Sequence, residues 1–347
     1  MICCHNSAGR LPATLARLAS QETPPELQWE ILLVDNASTD DTADCAKRHW
    51  PAKHRAELRV VPEPQIGIAH ARTRGIEGAK YELISFVDDD NWLRPDWLAR
   101  SAAVMAQRPD VGAMCGRNEP LCEGVAPPWL KNHANWYALA LKNDSYGDVT
   151  ERPGSIYSAG MTLRKSAWLE LAGCGFRFST MGRQGAILSA GPDVEVCLAL
   201  RLAGWKLWRE SSIELQHFLP ATRLQWNYLK RLVRTAGTSA PLLDPYLFAI
   251  ESRDQRARLG RRSFGEPDWR LRSLALGGKI LGRPYTLIAS RLFALEGNHR
   301  VIRLELHIGE LIAVVRMRGE YDSAVRRFLD GSVRQGLDRL RKAKEDR

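Results

Sequence analysis

The sequence contains no apolar run long enough to cross a membrane. The longest, such as Leu311–Val315, fall far short of the roughly 20 residues that a spanning helix needs. The amino terminus has no basic start followed by an apolar stretch, so no export signal is legible and a cytoplasmic location is expected. Glycine (27 residues) and proline (18) are unremarkable in number, which excludes fibrous repeats and Gly/Pro-rich disorder. The seven cysteines, Cys3, Cys4, Cys45, Cys115, Cys122, Cys174 and Cys197, include no pair with the two-residue gap of a zinc knuckle. An odd, scattered set of this kind reads as reduced, mostly buried thiols. No Gly-x-Gly-x-x-Gly follows the first strand-like segment, which disfavours a dinucleotide-dependent oxidoreductase. Basic residues are not interleaved with aromatics in any recognisable nucleic-acid module, so no nucleic-acid partner is expected.

What is present is a chain of 347 residues, 44% apolar and 26% charged, enough to bury a substantial core. Its net charge of +10 is unevenly spread. Residues 221–347 hold 26 Lys and Arg against 14 Asp and Glu, a balance of +12, whereas the first 220 residues carry −2. A near-neutral front joined to a basic back suggests two tasks, the second facing something anionic such as a lipid surface or a phosphorylated acceptor.

The front half alternates strand and helix signals. Glu30–Val34 and Leu83–Val87 are short apolar runs that end in acids, as buried parallel strands do. Leu11, Leu15 and Leu18 have helical spacing over residues 10–20. Ser38, Thr39 and Asp40 can cap a second helix, and a third fits Ile68–Gly78. Met1–Cys4 reads as the end of a strand, short enough to suggest that the strand starts upstream of Met1 or that the sheet edge is trimmed. Pro95–Met105 is expected to be helical, residues 118–152 a long loop or lid, and Asp193–Ala203 an amphipathic helix stopped by Gly204. The fold class is therefore α/β, a mostly parallel sheet flanked by helices. Beyond residue 221 the pattern is helical and rich in Arg.

Ligands bind at the carboxyl ends of parallel strands in open α/β sheets. Here three strand ends carry polar clusters: His5-Asn6, Asp35-Asn36 and Asp88-Asp89-Asp90. Carboxylates one residue apart can share a hard cation such as Mg²⁺ or Mn²⁺ that bridges phosphate oxygens, so a nucleotide and a divalent metal are the expected ligands.

In this order and at these intervals, the motifs resemble those of family 2 glycosyltransferases, nucleotide-sugar enzymes of cell-envelope polysaccharide biosynthesis with the GT-A fold. Cys4-His5-Asn6 is similar to the family's strand-end Thr-Tyr-Asn, and Val34-Asp35-Asn36-Ala37-Ser38 to its second strand and turn. Gly67-Ile68-Ala69-His70-Ala71-Arg72 resembles its Gly-x-x-x-Ala-Arg segment, and Asp88-Asp89-Asp90 stands where its metal-binding Asp-x-Asp lies. The resemblance covers residues 1–235. It implies a GT-A domain there, with a nucleotide-binding half (1–115) and an acceptor and base half (116–235), followed by a basic helical extension (236–347).

The resemblance also implies roles. His5, Asn6, Asp35, Asn36, Arg72, Asp88 and Asp89 would bind the nucleotide-sugar, with Arg72 on the diphosphate. Asp90 and Asp88 would hold the metal, and His217 would join them as a ligand. Asp193 would be the general base. The family has Glu-Asp where this chain has Pro192-Asp193; proline suits the first turn of a helix, whose dipole favours the carboxylate beside it, an effect that burial against the acceptor must offset. One base on the acceptor side fits single displacement with inversion. The acceptor would be a glycan or lipid-linked hydroxyl, and the extension could reach an anionic membrane surface on the inner face of the cell membrane. Trp129, Trp136 and Tyr137 are candidates for sugar stacking or core packing, and Arg223, Lys230, Arg231 and Arg234 for a phosphate-binding or merely solvated helix face. Two alternatives stand beside this reading: a sugar nucleotidyltransferase, for which Ser7-Ala8-Gly9-Arg10 is a poor signature loop, and a catalytically silent glycan-binding scaffold.

Overall fold

A computed structural model describes residues 1–182, 191–259, 268–282 and 295–346. Three parallel strands open the chain, in the order β1 (Ile2–Cys4), β2 (Glu30–Asn36), β3 (Glu57–Glu63). Register pairs Cys4 with Asp35 and Asn36 with Glu63, so their carboxyl ends form one edge. Three helices connect and cover them: α1 (Leu11–Ala19), α2 (Thr42–His49) and α3 (Ile68–Gly78). In α1 the expected Leu11, Leu15 and Leu18 are the buried face. The N-cap of α2 is Asp41, whose side chain makes no capping bond; Asp40, one residue earlier, accepts from Thr42 N–H at 3.0 Å instead. Gly67 opens α3 with φ of 141°, a conformation that costs glycine little.

A second sheet departs from the sequence expectation. Leu83–Val87 supplies only a short strand, β4 (Leu83–Ser85), and it is not a parallel one. It pairs antiparallel with β8 (Thr162–Arg164), in a sheet ordered β4-β8-β6-β9-β5. Here β6 (Val111–Cys122) and β9 (Lys206–Leu219) run parallel, β5 (Asn91–Leu93) lies antiparallel to β9, and β7 (Gly147–Asp148) flanks β9. Two hydrogen bonds tie the sheets, Met1 N to Ser85 O (2.8 Å) and Val87 N to Met1 O (3.0 Å). An apolar run specifies burial and not strand direction, which long-range pairing decides.

Helices α4 (Trp97–Gln107), α5 (Lys165–Gly173) and α6 (Pro192–Leu202) complete the body. The α6 segment was expected to be amphipathic, yet Glu195–Leu202 is buried throughout. It is covered by α7 (Trp226–Leu259) and α11 (Ser332–Glu345); α8 (Trp269–Leu281), α9 (His299–Met317) and α10 (Gly319–Asp330) lie between these two in the chain. Helix α7 runs unbroken across residue 235, and Tyr246, Ile250 and Leu337 share an apolar cluster with Ile84, Met161 and Leu198. The extension thus packs into the body's core. Among the described residues it is helical, as expected; residues 260–267 and 283–294 lie outside them. All seven cysteines are free thiols.

Candidate active site

The carboxyl edge of the parallel strands opens on a cleft of about 340 Å³. His5, Asn36, Arg72, Asp88, Asp89, Asp90, Asp193 and His217 all line it. Asn6 and Asp35 are engaged in the turns behind. The Asn6 side-chain oxygen accepts from Thr39 N–H at 2.7 Å, and Asp35 Oδ1 accepts from Ser38 N–H at 3.2 Å. Asn36 lines the cleft but its amide is used in building it. Nδ2 donates to the carbonyls of Glu63 (3.1 Å) and Gln65 (2.6 Å), while Oδ1 accepts from Gly67 N–H (2.9 Å). Asn36 thereby fixes the start of α3, the helix that carries Arg72. His5 Nδ1 lies 2.8 Å from Asn36 O, and since a carbonyl only accepts, Nδ1 carries a proton. Buried Arg72 places its guanidinium 5.4 Å from the Phe86 ring centroid and faces the cleft.

The three consecutive aspartates have three different environments. Asp89 Oδ2 accepts from Arg10 Nη2 (2.6 Å) and Nε (3.1 Å). Asp90 Oδ2 accepts from Arg223 Nη1 at 2.7 Å, and its Oδ1 lies 3.4 Å from His217 Nε2. Burial alone would raise the Asp90 pKa, but the charges and hydrogen bonds of His217 and Arg223 outweigh it and hold the carboxyl well below its usual range. For Asp88 the balance falls the other way. Loss of surrounding water, then the Asp90 charge, push its pKa up against the opposing pull of Arg72 and His217. Its backbone N–H donates to Asn91 Oδ1 (3.0 Å), and Asp88 is among the residues lining the cleft. His217 reaches Asp90 through strand register, because Asn91 of β5 pairs with His217 of β9 and Phe218 N donates to Asp90 O at 2.8 Å.

The other wall comes from α6. Pro192 occupies its first position and Asp193, in the first turn, faces the cleft. Two residues on, Glu195 is fully buried. Its carboxylate accepts from Ser179 N (2.9 Å) and Oγ (2.6 Å), Thr180 N (2.9 Å) and Oγ1 (2.6 Å), and Tyr246 OH (3.1 Å). Glu195 therefore clamps the 179–180 loop and α7 to the helix that presents Asp193. Sequence reading passed over it, although an acid two residues after the proposed base was visible. Of the four basic candidates, Arg223 alone enters the cleft; Arg234 pairs with Glu305 (Nε to Oε2, 2.6 Å), Arg231 is exposed, and Lys230 lines a separate cavity. Trp136 and Tyr137 line the cleft, with Tyr137 OH donating to Arg223 O at 2.8 Å. Trp129 is core, packed on Trp226 at 5.4 Å between centroids.

Among the described residues no group of three or more His, Cys, Asp or Glu is placed to hold a metal ion by itself. A divalent ion that serves a nucleotide commonly takes one or two carboxylates and completes its shell with phosphate and water. Asp88, a cleft-lining carboxyl whose pKa is pushed up by burial and by a neighbouring negative charge, would gain from such an ion. With Asp90 beside it and the His217 imidazole adjoining, the donor types fit Mn²⁺ or Mg²⁺.

Residues 1–171 match the family model described as glycosyl transferase family 2. The chain carries a family 2 glycosyltransferase domain. A Bacillus subtilis (strain 168) relative, named as the teichuronic acid biosynthesis glycosyltransferase TuaG, is 26% identical over 247 residues, which are 66% of this chain and 93% of the relative. A glucosyl-dolichyl phosphate glucuronosyltransferase of Haloferax volcanii is 22% identical over 56% of this chain and 60% of its own length. Among solved structures, the mannosyltransferase PcManGT of Pyrobaculum calidifontis, in complex with GDP-Man and Mn²⁺, superposes with a TM-score of 0.51 at 15% identity, covering 99% of this chain and 86% of that one. The family 2 domain thus has the GT-A fold, with a helical region following it.

Proposed function

We propose that the chain transfers a hexose-type sugar from a nucleotide-sugar donor to a hydroxyl of a glycan or lipid-linked acceptor, with inversion. The observation that carries this reading is that Asp193, from α6, and the Asp88–Asp90 turn, from a separate part of the chain, line one cleft. Had they opened on separate surfaces, neither could serve a common reaction.

In this reading His5 stacks against the nucleotide base and the buried Arg72 guanidinium faces the donor diphosphate. Asp88, Asp90 and His217 would hold Mn²⁺ or Mg²⁺, which when bound neutralises charge on the departing diphosphate. Asp193 accepts the proton of the attacking hydroxyl as the new glycosidic bond forms and the bond to the nucleoside diphosphate breaks. The other acids lining the cleft are Asp88, Asp89 and Asp90, and Asp89 is paired with Arg10. A single acceptor-side carboxylate supports one displacement over two. Residues 1–235 would perform transfer and 236–347 would bring it to an anionic membrane surface on the cytoplasmic side. No described helix is long and apolar enough to cross a membrane.

The test is a thermal-shift panel of nucleoside diphosphates and nucleotide-sugars with Mn²⁺, followed by turnover of the sugar that shifts most. Asp193→Asn is expected to lower kcat by about 10²–10⁴-fold while nucleotide affinity stays within a factor of two or so. Transfer surviving at full rate would assign the base elsewhere, and nucleotide binding without turnover by the wild type would favour the silent scaffold.

A further inference from the structure

Helix α8 is apolar on two opposite faces, and one of them is turned to solvent. Leu276 and Ile280 are buried, whereas Leu271, Leu274 and Leu281 are 64%, 71% and 73% exposed. At 3.6 residues per turn, Leu271, Leu274, Ala275, Gly278 and Leu281 fall within an arc of about 120° on the side away from Leu276 and Ile280. Exposed Arg270 and Lys279 border that arc on its two sides. The helix contains no Asp or Glu, and Arg272 points inward, its Nε 2.8 Å from Asp244 Oδ2. Trp269 stands at its start. Ile312 and Val315 of α9, on which α8 packs, are exposed as well.

Leaving three leucines of one short helix in water is unfavourable, since each hides a whole side chain's apolar area when covered. The flanking charges indicate what covers them. A second copy laid face to face would oppose Arg270 and Lys279 with like charges and no acid on either helix. An anionic bilayer accepts both features: the leucines enter the acyl boundary while the basic borders meet the headgroups. The helix has 13 residues, too few to span, so it would lie in the plane of the interface.

We infer that α8 is the membrane-contacting element of this protein, seated through Leu271, Leu274 and Leu281 on the surface of an anionic bilayer. The inference rests on the membrane-surface part of the function proposed above and is independent of the transfer chemistry. Flotation of the full chain with phosphatidylcholine vesicles, with and without phosphatidylglycerol, at low and high salt, tests it. The wild type is expected to float with the anionic vesicles, less so at high salt. Leu274→Glu with Leu281→Glu should weaken binding about tenfold or more, and Arg270→Glu with Lys279→Glu should remove the preference for anionic lipid. Failure of the wild type to float on anionic vesicles at low salt overturns the inference, as does equal flotation of the leucine variant. So does light scattering that shows a wild-type dimer broken by the leucine variant with no loss of flotation. The substituted side chains are exposed, so the melting temperature and nucleotide affinity of these variants should match the wild type. Nucleotide affinity also separates this outcome from failure of the transferase reading.

Discussion

Arg223 Nη1 donates to Asp90 Oδ2 across 2.7 Å, joining the helical turn after β9 to the acidic turn before β5. A guanidinium and a divalent cation would compete for that carboxylate. Arg223→Gln is therefore expected to strengthen binding of Mn²⁺ alone by several-fold to about tenfold, since a positive charge leaves the neighbourhood. Calorimetry with Mn²⁺ in the absence of nucleotide reads this directly, and unchanged or weaker affinity would show that the ion does not sit on Asp90.

Glu195 is expected to matter through Asp193. In Glu195→Gln one oxygen is replaced by a donor that faces the Ser179 or Thr180 donors. That change should cost about 1.5–3 kcal/mol of stability, the scale of hydrogen bonds to a charged group. Because the clamp positions the helix and not the donor, kcat should fall while KM for the nucleotide-sugar changes little. A drop in melting temperature with kcat intact would limit Glu195 to a structural part.

Asp244 supplies a pH dependence. It sits buried between Arg272 and Tyr321 OH (2.7 Å), and burial raises its pKa from 3.8 to about 6 despite Arg272. The folded state then holds this proton more tightly than the unfolded chain does. The associated stability is present in full below about pH 4 and is lost as pH rises through about 6, a change of up to about 3 kcal/mol. Urea melts at a series of pH values should show this slope in the wild type and a flatter one in Asp244→Asn.

Two glycines of the extension should respond in opposite directions. A Cβ on Gly309 would lie 2.0 Å from Arg234 O, where α7 and α9 cross, whereas one on Gly277 meets nothing within 4 Å. Gly309→Ala should destabilise by about 1–3 kcal/mol, or more if the helices must part. Gly277→Ala should stabilise by about 0.5–1 kcal/mol by raising helix propensity. Thermal melts of the pair decide it.

Much of the front half could be read from the chain. Helix Ile68–Gly78 lies where its spacing put it, and Asp88–Asp90 forms a turn beside the parallel strand ends, because periodicity and turn chemistry are local properties. The direction of β4 was not legible, since an apolar run looks the same in either orientation and its partner lies about 80 residues away. Asn36 lines the cleft, but the engagement of its amide with Glu63, Gln65 and Gly67 was not legible. That engagement depends on where the loop after β3 lands.

By itself the sequence determined the α/β order, the placing of acids at strand ends and the uneven charge. Each follows from neighbours along the chain. Only the tertiary structure decided that Asp90 would meet His217 and Arg223, that Glu195 would be a clamp, and that the described chain would leave one face of α8 uncovered. These depend on which distant surfaces come together, and hydropathy records how apolar a residue is without recording what will cover it.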